Sequence, residues 1–248
     1  MFHKKKLGIV GGMGSRAGAF FLQKIIDFSP ADTDQDFLDI IFHNNSSIPD
    51  RTKAIVYNEP SPLPDILKSV ELFNRNEVEV IALACVTSYF YYNQIAAHTT
   101  ARVLNPLHLI ADCIREEYGQ VRRVGLLATT GTINCGLFHQ ELKKCNVEVV
   151  TLKPPYQEEV FMRAVYMKNG FKSSTICQLA RDLMNESINK LKVLDVDLVI
   201  GGCTEVSIGV DPRTVTIPYI DVVDFLAHKT VDYCYNHNIK RSKIYING

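Results

Sequence analysis

Two cysteines stand just past matching apolar runs. One is Val78-Glu-Val-Ile-Ala-Leu-Ala-Cys85-Val-Thr87 and the other Val196-Asp-Leu-Val-Ile-Gly-Gly-Cys203-Thr204. A thiolate is a competent base and its conjugate thiol a competent acid, with a reference pKa of ~8.5 that nearby N–H groups or cations lower. One thiolate and one thiol on opposite sides of a planar carbanion can take a proton from one face and return one to the other, which inverts the carbon. Preorganised N–H and hydroxyl donors stabilise such an enolate-like intermediate without an electron-sink cofactor. Hydroxyls are at hand in Thr87, Ser88 and Thr204. A lone cysteine at a strand end reads most simply as an inert, buried small hydrophobe. Two at corresponding positions point to chemistry instead.

The elements that must carry these thiols are short, β-branched runs, too short for helices, which read as parallel strands buried on both faces. In open α/β sheets ligands sit outside the carboxyl ends of the strands. The surroundings repeat as well. Leu7-Gly8-Ile9-Val10-Gly11-Gly12-Met13-Gly14-Ser15 echoes Val124-Gly125-Leu126-Leu127-Ala128-Thr129-Thr130-Gly131-Thr132 at an offset of 117, the cysteines are 118 apart, and Val103-Leu104-Asn105-Pro106 is matched to Thr216-Ile217-Pro218 at 112. This period is far too long for a solenoid and fits two copies of one domain.

Strands are expected at 6–10, 38–43, 78–84, 102–105, 122–127, 147–152, 196–201 and 215–220. Helices are expected at 16–28, 63–75, 88–97, 134–145, 157–168, 174–192 and from Asp221 to Asn236. Alternation of this kind predicts an α/β fold of two similar domains, each a parallel sheet flanked by helices, related by a pseudo-twofold duplication. The first domain is drawn at 1–105 plus 221–248 and the second at 106–220, with the active site in the cleft between them. No Pro-, Gly- or Ser-rich linker separates the halves.

Composition narrows the partners. The chain has 248 residues, 46% hydrophobic and 22% charged, and its 27 Lys and Arg balance its 27 Asp and Glu. That leaves no basic footprint for nucleic acid or an anionic membrane, and a small-molecule substrate is expected. Seven cysteines, an odd number without a CxxC pair, suit free thiols in a reducing compartment. No Cys or His pair has metal-site spacing, so no metal is expected. The basic start with Ala17-Gly-Ala19 superficially resembles a signal peptide, but its apolar run is broken by glycines and Arg16 and serves as the first strand. No run reaches the roughly 18–20 apolar residues of a membrane span, and a cytoplasmic location is expected.

Gly11-Gly-Met-Gly14, Ile48-Pro-Asp-Arg-Thr52, Cys85-Val-Thr87 and Gly202-Cys-Thr-Glu205, in this order over nearly the whole chain, resemble the cofactor-independent aspartate/glutamate racemase family. The resemblance implies two similar α/β domains in a homodimer, no cofactor, and Cys85 and Cys203 as the two bases. It also implies that Arg51 and Lys168 grip the distal carboxylate of a dicarboxylic amino acid; the expected substrate-binding set is Met13, Arg51, Val86, Thr87, Ser88, Lys168, Thr204 and Glu205, with Glu205, next in the motif, expected to orient a thiol or bind the ammonium. Three positions depart from the family pattern. Val86 stands where many members have Asn, Tyr89 where they have His, and Ser15 where Pro commonly follows Gly-Met-Gly. Losing the amide at 86 removes a donor and an acceptor that valine cannot replace.

Alternatives remain. Inside the superfamily, the two-cysteine pattern also resembles maleate isomerases and hydantoin racemases. With Val86, the chain could instead bind an acidic amino acid and turn it over weakly or not at all. Gly12-Met-Gly14-Ser-Arg-Ala17 fits GxGxxA after a strand, with Asp34, Asp36 or Asp39 downstream for a ribose, but a dinucleotide site leaves both cysteines and the repeat unexplained. Cys113, Cys135, Cys145, Cys177 and Cys234, and His108 and His139, read as scaffold.

Overall fold

A computed structural model describes residues 4–236. In chain order the first strands and helices are β1 (Leu7–Gly11), α1 (Ser15–Phe28), β2 (Ile40–Asn44), α2 (Arg51–Tyr57), α3 (Leu63–Arg75), β3 (Val80–Leu83), α4 (Tyr92–Ala96) and β4 (Arg102–Val103). They are followed by α5 (Pro106–Glu117), β5 (Arg123–Leu127), α6 (Thr130–Asn134), α7 (Leu137–Lys143), β6 (Glu148–Thr151), α8 (Pro154–Tyr156), α9 (Arg163–Tyr166), α10 (Gln178–Lys192), β7 (Leu198–Gly201), α11 (Thr204–Gly209), β8 (Tyr219–Asp221) and α12 (Val222–Tyr235). By their contacts they form two units: residues up to Asn105 together with the segment from Val223, and Pro106–Val222. No described helix is long and apolar enough to cross a membrane.

Each unit holds one four-stranded sheet with every pair parallel, in the orders β2-β1-β3-β4 and β6-β5-β7-β8. The central strands β1, β3 and β7 are buried along their whole length, as expected of parallel strands covered by helices on both faces. The duplication extends to register. Leu7 pairs with Val80 in the first sheet and Val124 with Leu198 in the second, so the offsets of 117 and 118 carry over to the ladder. The third match does not. Ile81 pairs with Val103, and its counterpart Val199 pairs with Tyr219, which makes Tyr219 the equivalent of Val103 and places 215–218 before the strand. Pro218 has no N–H to give a ladder and contributes only its carbonyl, which accepts from the Val199 N–H at 2.9 Å.

Helix limits follow local chemistry. The helix expected at 88–97 begins as a 3₁₀ turn over Val86–Tyr91 before α4. The one expected at 134–145 is broken by Gly136 at φ 66° into α6 and α7. The one expected at 157–168 is a π turn, Gln157–Met162, between α8 and α9. Helices α2, α5 and α11 were not anticipated, because each is short or opens directly from a strand end. Helix α12 returns to the first unit. There Asp224 pairs with Lys24 of α1 at 2.9 Å, the Tyr235 hydroxyl donates to the Asp36 carbonyl at 2.8 Å, and the Cys234 carbonyl accepts from the Lys5 N–H at 2.9 Å.

The loop after β1 needs its glycine at 12. Gly12 has φ +84°, and a Cβ there would lie 2.2 Å from the Asn45 carbonyl carbon, so the β1 and β2 loops touch backbone to backbone. Gly12→Ala is expected to cost at least about 2 kcal/mol, combining left-handed strain with a clash against an immobile main chain. A lowered urea midpoint with an unchanged slope will show this.

Candidate active site

The strand that ends at Leu83 delivers Cys85 two residues beyond its last ladder position, and the strand that ends at Gly201 delivers Cys203 likewise. Both cysteines have extended backbone, with φ −153° and −152°, and each is the cap residue of the turn or helix that follows. Both are free thiols; Cys85 is partly exposed and Cys203 buried. Counting on from the two strand ends matches Val86 with Thr204 and Thr87 with Glu205. The two thiols therefore share a frame and have different neighbours: a threonine at the second position after one, a carboxylate after the other.

Glu205 is buried on the first turn of α11, and its Oε1 lies 3.1 Å from Nζ of Lys172. Burial alone would raise the Glu205 carboxyl. The Lys172 charge, together with hydrogen bonds from its own backbone N–H, from Lys172 and from the Cys203 thiol, outweighs that and holds it below the usual range. Cys203 goes the other way. Burial, then the Glu205 charge beside it, pushes its thiol well above the ordinary value, while the Val206 N–H and Lys172 pull weakly down. Nothing in the sequence marks Lys172, and no spacing rule links it to Glu205. A buried carboxylate beside a thiol requires a cation, which was the one available signal.

In the first unit Arg51 is buried at the start of α2. Its Nη1 donates to the carbonyls of Pro49, at 2.8 Å, and Ile48, and its Nη2 donates to that of Met13. Asp50 caps α2 by accepting from the Lys53 N–H at 3.0 Å. The Pro-Asp-Arg sequence thus starts a helix and ties the β2 loop to the β1 loop. Gln157 makes the corresponding tie in the second unit, a contact the sequence did not advertise. Its Nε2 donates to the Ala128 carbonyl at 3.0 Å and reaches the Thr130 hydroxyl at 3.3 Å.

Met13, Val86, Thr87, Ser88 and Thr204 are all buried. The Ser88 hydroxyl donates to the Cys85 carbonyl at 2.6 Å, closing the turn. Tyr89 is a strut: its hydroxyl meets the backbone N–H and carbonyl of Leu83 at 3.2 and 3.4 Å, and burial pushes its phenol well above the ordinary tyrosine range. Lys168 is exposed on the turn after α9, four residues before the lysine that meets Glu205. Of the carboxylates offered for a ribose, Asp36 is held by Thr33 at 2.7 Å and Asp39 by Lys6 at 3.2 Å. His108 lies 3.5 Å from Glu141, and burial lowers the His139 pKa.

Comparison with known proteins follows the same lines. The profile of the family described as Asp/Glu/Hydantoin racemase matches residues 10–230. The broad specificity amino-acid racemase RacX of Bacillus subtilis (strain 168) is 25% identical over 231 residues, 91% of this chain and 96% of that protein. Among solved structures, the Picrophilus torridus aspartate racemase matches with a TM-score of 0.80 at 26% identity, over 92% of this chain and 94% of its own. A glutamate racemase from Francisella tularensis subsp. tularensis SCHU S4, in complex with D-glutamate, shares the fold with a TM-score of 0.67 at 17% identity, over 96% and 85% of the two chains.

The Lys172–Glu205 pair has a pH signature. A carboxyl held below its unfolded value of 4.5 adds stability that is present above that pH and lost as pH falls through the folded value. Glu205→Gln should remove this acid-side increment and cost roughly 2–4 kcal/mol at neutral pH, because Lys172 loses its buried partner. Urea midpoints measured across pH for both proteins give the two curves, and parallel acid limbs would contradict the assignment.

Proposed function

The chain belongs to the Asp/Glu/hydantoin racemase family, and from that premise we propose that it is a cofactor-independent racemase that interconverts L- and D-aspartate, or glutamate, by proton transfer between two cysteines. The observation that carries this reading is the pair of thiols set at the same ladder position of two duplicated sheets, each two residues past a buried strand. In the proposed reaction Cys85 and Cys203 serve opposite faces of one Cα. The thiolate removes the α-proton of one enantiomer and the thiol supplies a proton to the opposite face; the other enantiomer is handled in the reverse sense.

Thr87 and Thr204 help hold the α-carboxylate, and Arg51 with Lys168 binds the side-chain carboxylate. An arginine forks onto a carboxylate while a lysine supplies a point charge. Met13, Val86, Ser88 and Glu205 complete the proposed set. The protein would act as a cytoplasmic homodimer. A wider substrate range is the second reading. It is favoured by Val86, which offers an apolar wall where an amide is common, and by the description of the Bacillus subtilis relative.

The test is incubation with each enantiomer of aspartate and glutamate in D2O without pyridoxal phosphate. Loss of the Cα proton is followed by NMR and configuration by chiral chromatography. Exchange with inversion is expected, and its relative rate ranks the substrates. Cys85→Ser and Cys203→Ser should each reduce inversion by a factor on the order of 10³ or more, since each removes one of two obligatory proton carriers. Full activity in both single variants would sink the two-base assignment, and binding without exchange would identify a binding protein.

A further inference from the structure

The two thiols sit on equal frames with unequal electrostatics. After Cys85 the second position is Thr87, which carries no charge; after Cys203 it is Glu205, a buried carboxylate 3.1 Å from the Lys172 ammonium. Lys172 is firmly placed. Its backbone N–H donates to the Val165 carbonyl at 3.2 Å, the adjacent Phe171 N–H donates to Ala164 at 3.1 Å, and its Nζ stands 5.2 Å from the centre of the Tyr166 ring. Its side chain is largely covered and that of Glu205 is 8% exposed, so the pair acts through low dielectric rather than through bulk water.

We propose that the Lys172–Glu205 pair keeps the proton on Cys203 in the free enzyme, so that Cys203 enters the first turnover as the acid and Cys85 as the base. This rests on the two-cysteine racemase reading and adds to it a resting protonation state and a positioning residue, Lys172, that acts through Glu205. An anionic carboxylate accepts the Cys203 S–H hydrogen bond and repels a thiolate, so ionising Cys203 next to it is doubly disfavoured. Lys172 keeps Glu205 anionic despite burial. Among the described residues the charged groups acting on the Cys203 sulfur are these two, Glu205 opposing its ionisation and Lys172 favouring it.

Protons balance over the turnover. The Cys85 thiolate takes the α-proton and becomes a thiol, while the Cys203 S–H bond breaks, its proton forms the new Cα–H bond on the opposite face, and Cys203 is left as a thiolate. The enzyme then holds the mirror protonation state, the less stable one, and regains the first either by turning over the opposite enantiomer or by proton exchange with solvent.

The experiment is a pH titration of thiolate ultraviolet absorbance without substrate, read as the difference between the wild-type protein and Cys203→Ser. It is independent of catalysis, so its failure is distinct from failure of the racemase reading, which appears as absent Cα exchange. The Cys203 step is expected well above the ~8.5 of a free cysteine. In Glu205→Gln, where the carboxylate is gone and Lys172 remains, the step should fall by at least one pH unit, a tenfold change in the ionisation constant. Adding Lys172→Met to that variant should move it back up, because no charge then offsets burial. A merely structural role would shift both variants toward the free-cysteine value. A wild-type Cys203 step at or below ~8.5 overturns the proposal without any charge variant, as does an unmoved step in a folded Glu205→Gln protein.

Discussion

Parallel register is the constraint on which the rest depends. Side chains of a strand alternate between faces, so a slip of one residue would exchange the sets packed against the two helix layers and displace whatever lies past the strand end. Burial of β3 and β7 on both faces excludes such a slip at the cost of core packing. The same ladder that pairs Leu7 with Val80 and Val124 with Leu198 therefore fixes each thiol relative to the loop leaving the neighbouring strand. Met13 and Gly12 lie on one such loop, Thr129 and Thr130 on the other. Precision at the strand ends is inherited from the core, not from the loops.

On this common frame the two units have diverged in chemistry. Each clamps its first loop with a long polar side chain from the segment after its second strand, but one uses the Arg51 guanidinium and the other the Gln157 amide. Each continues its cysteine into a turn, but one is a 3₁₀ segment braced by Tyr89 and Ser88 and the other an α-helix carrying Glu205. A charge can be added in this way only if its desolvation is met, and Lys172 meets it from the chain before α10. The carboxylate at the second position after Cys203 and the lysine that meets it are thus one device in physical terms.

What was legible in the sequence tracks how local the determining physics is. Strands β1, β3, β5 and β7 and helices α1 and α3 are visible because apolar composition and period belong to the segment itself; Leu63–Arg75 was read to the residue. The cysteines were visible because they end such runs. Segments set by tertiary context were not. Val86–Tyr91 runs into the expected helix yet is wound as 3₁₀, with Tyr89 reaching back to Leu83. The 215–220 run is apolar, but Pro218 delays the ladder until Tyr219. At the site, Glu205 was legible through its motif, whereas Lys172 lies 33 positions earlier on another element, and Arg51 declared its charge but not the carbonyls it holds.

Unequal thiols are compatible with a symmetric reaction. Enantiomers have equal free energies in water, so any racemase has an equilibrium constant of one and equal kcat/KM in both directions, whatever its residues. The groups around Cys203 therefore cannot bias the product ratio. On the proposed two-cysteine mechanism, what they set is the population of the two free-enzyme protonation states, and with it the fraction of enzyme ready for each enantiomer. A duplicated scaffold is free to let its halves differ in charge as long as each thiol remains reachable within the barrier for turnover. Geometry is matched at both strand ends and charge is placed at only one, in the corresponding β1–β3 and β5–β7 registers and the dissimilar residues that follow the two cysteines.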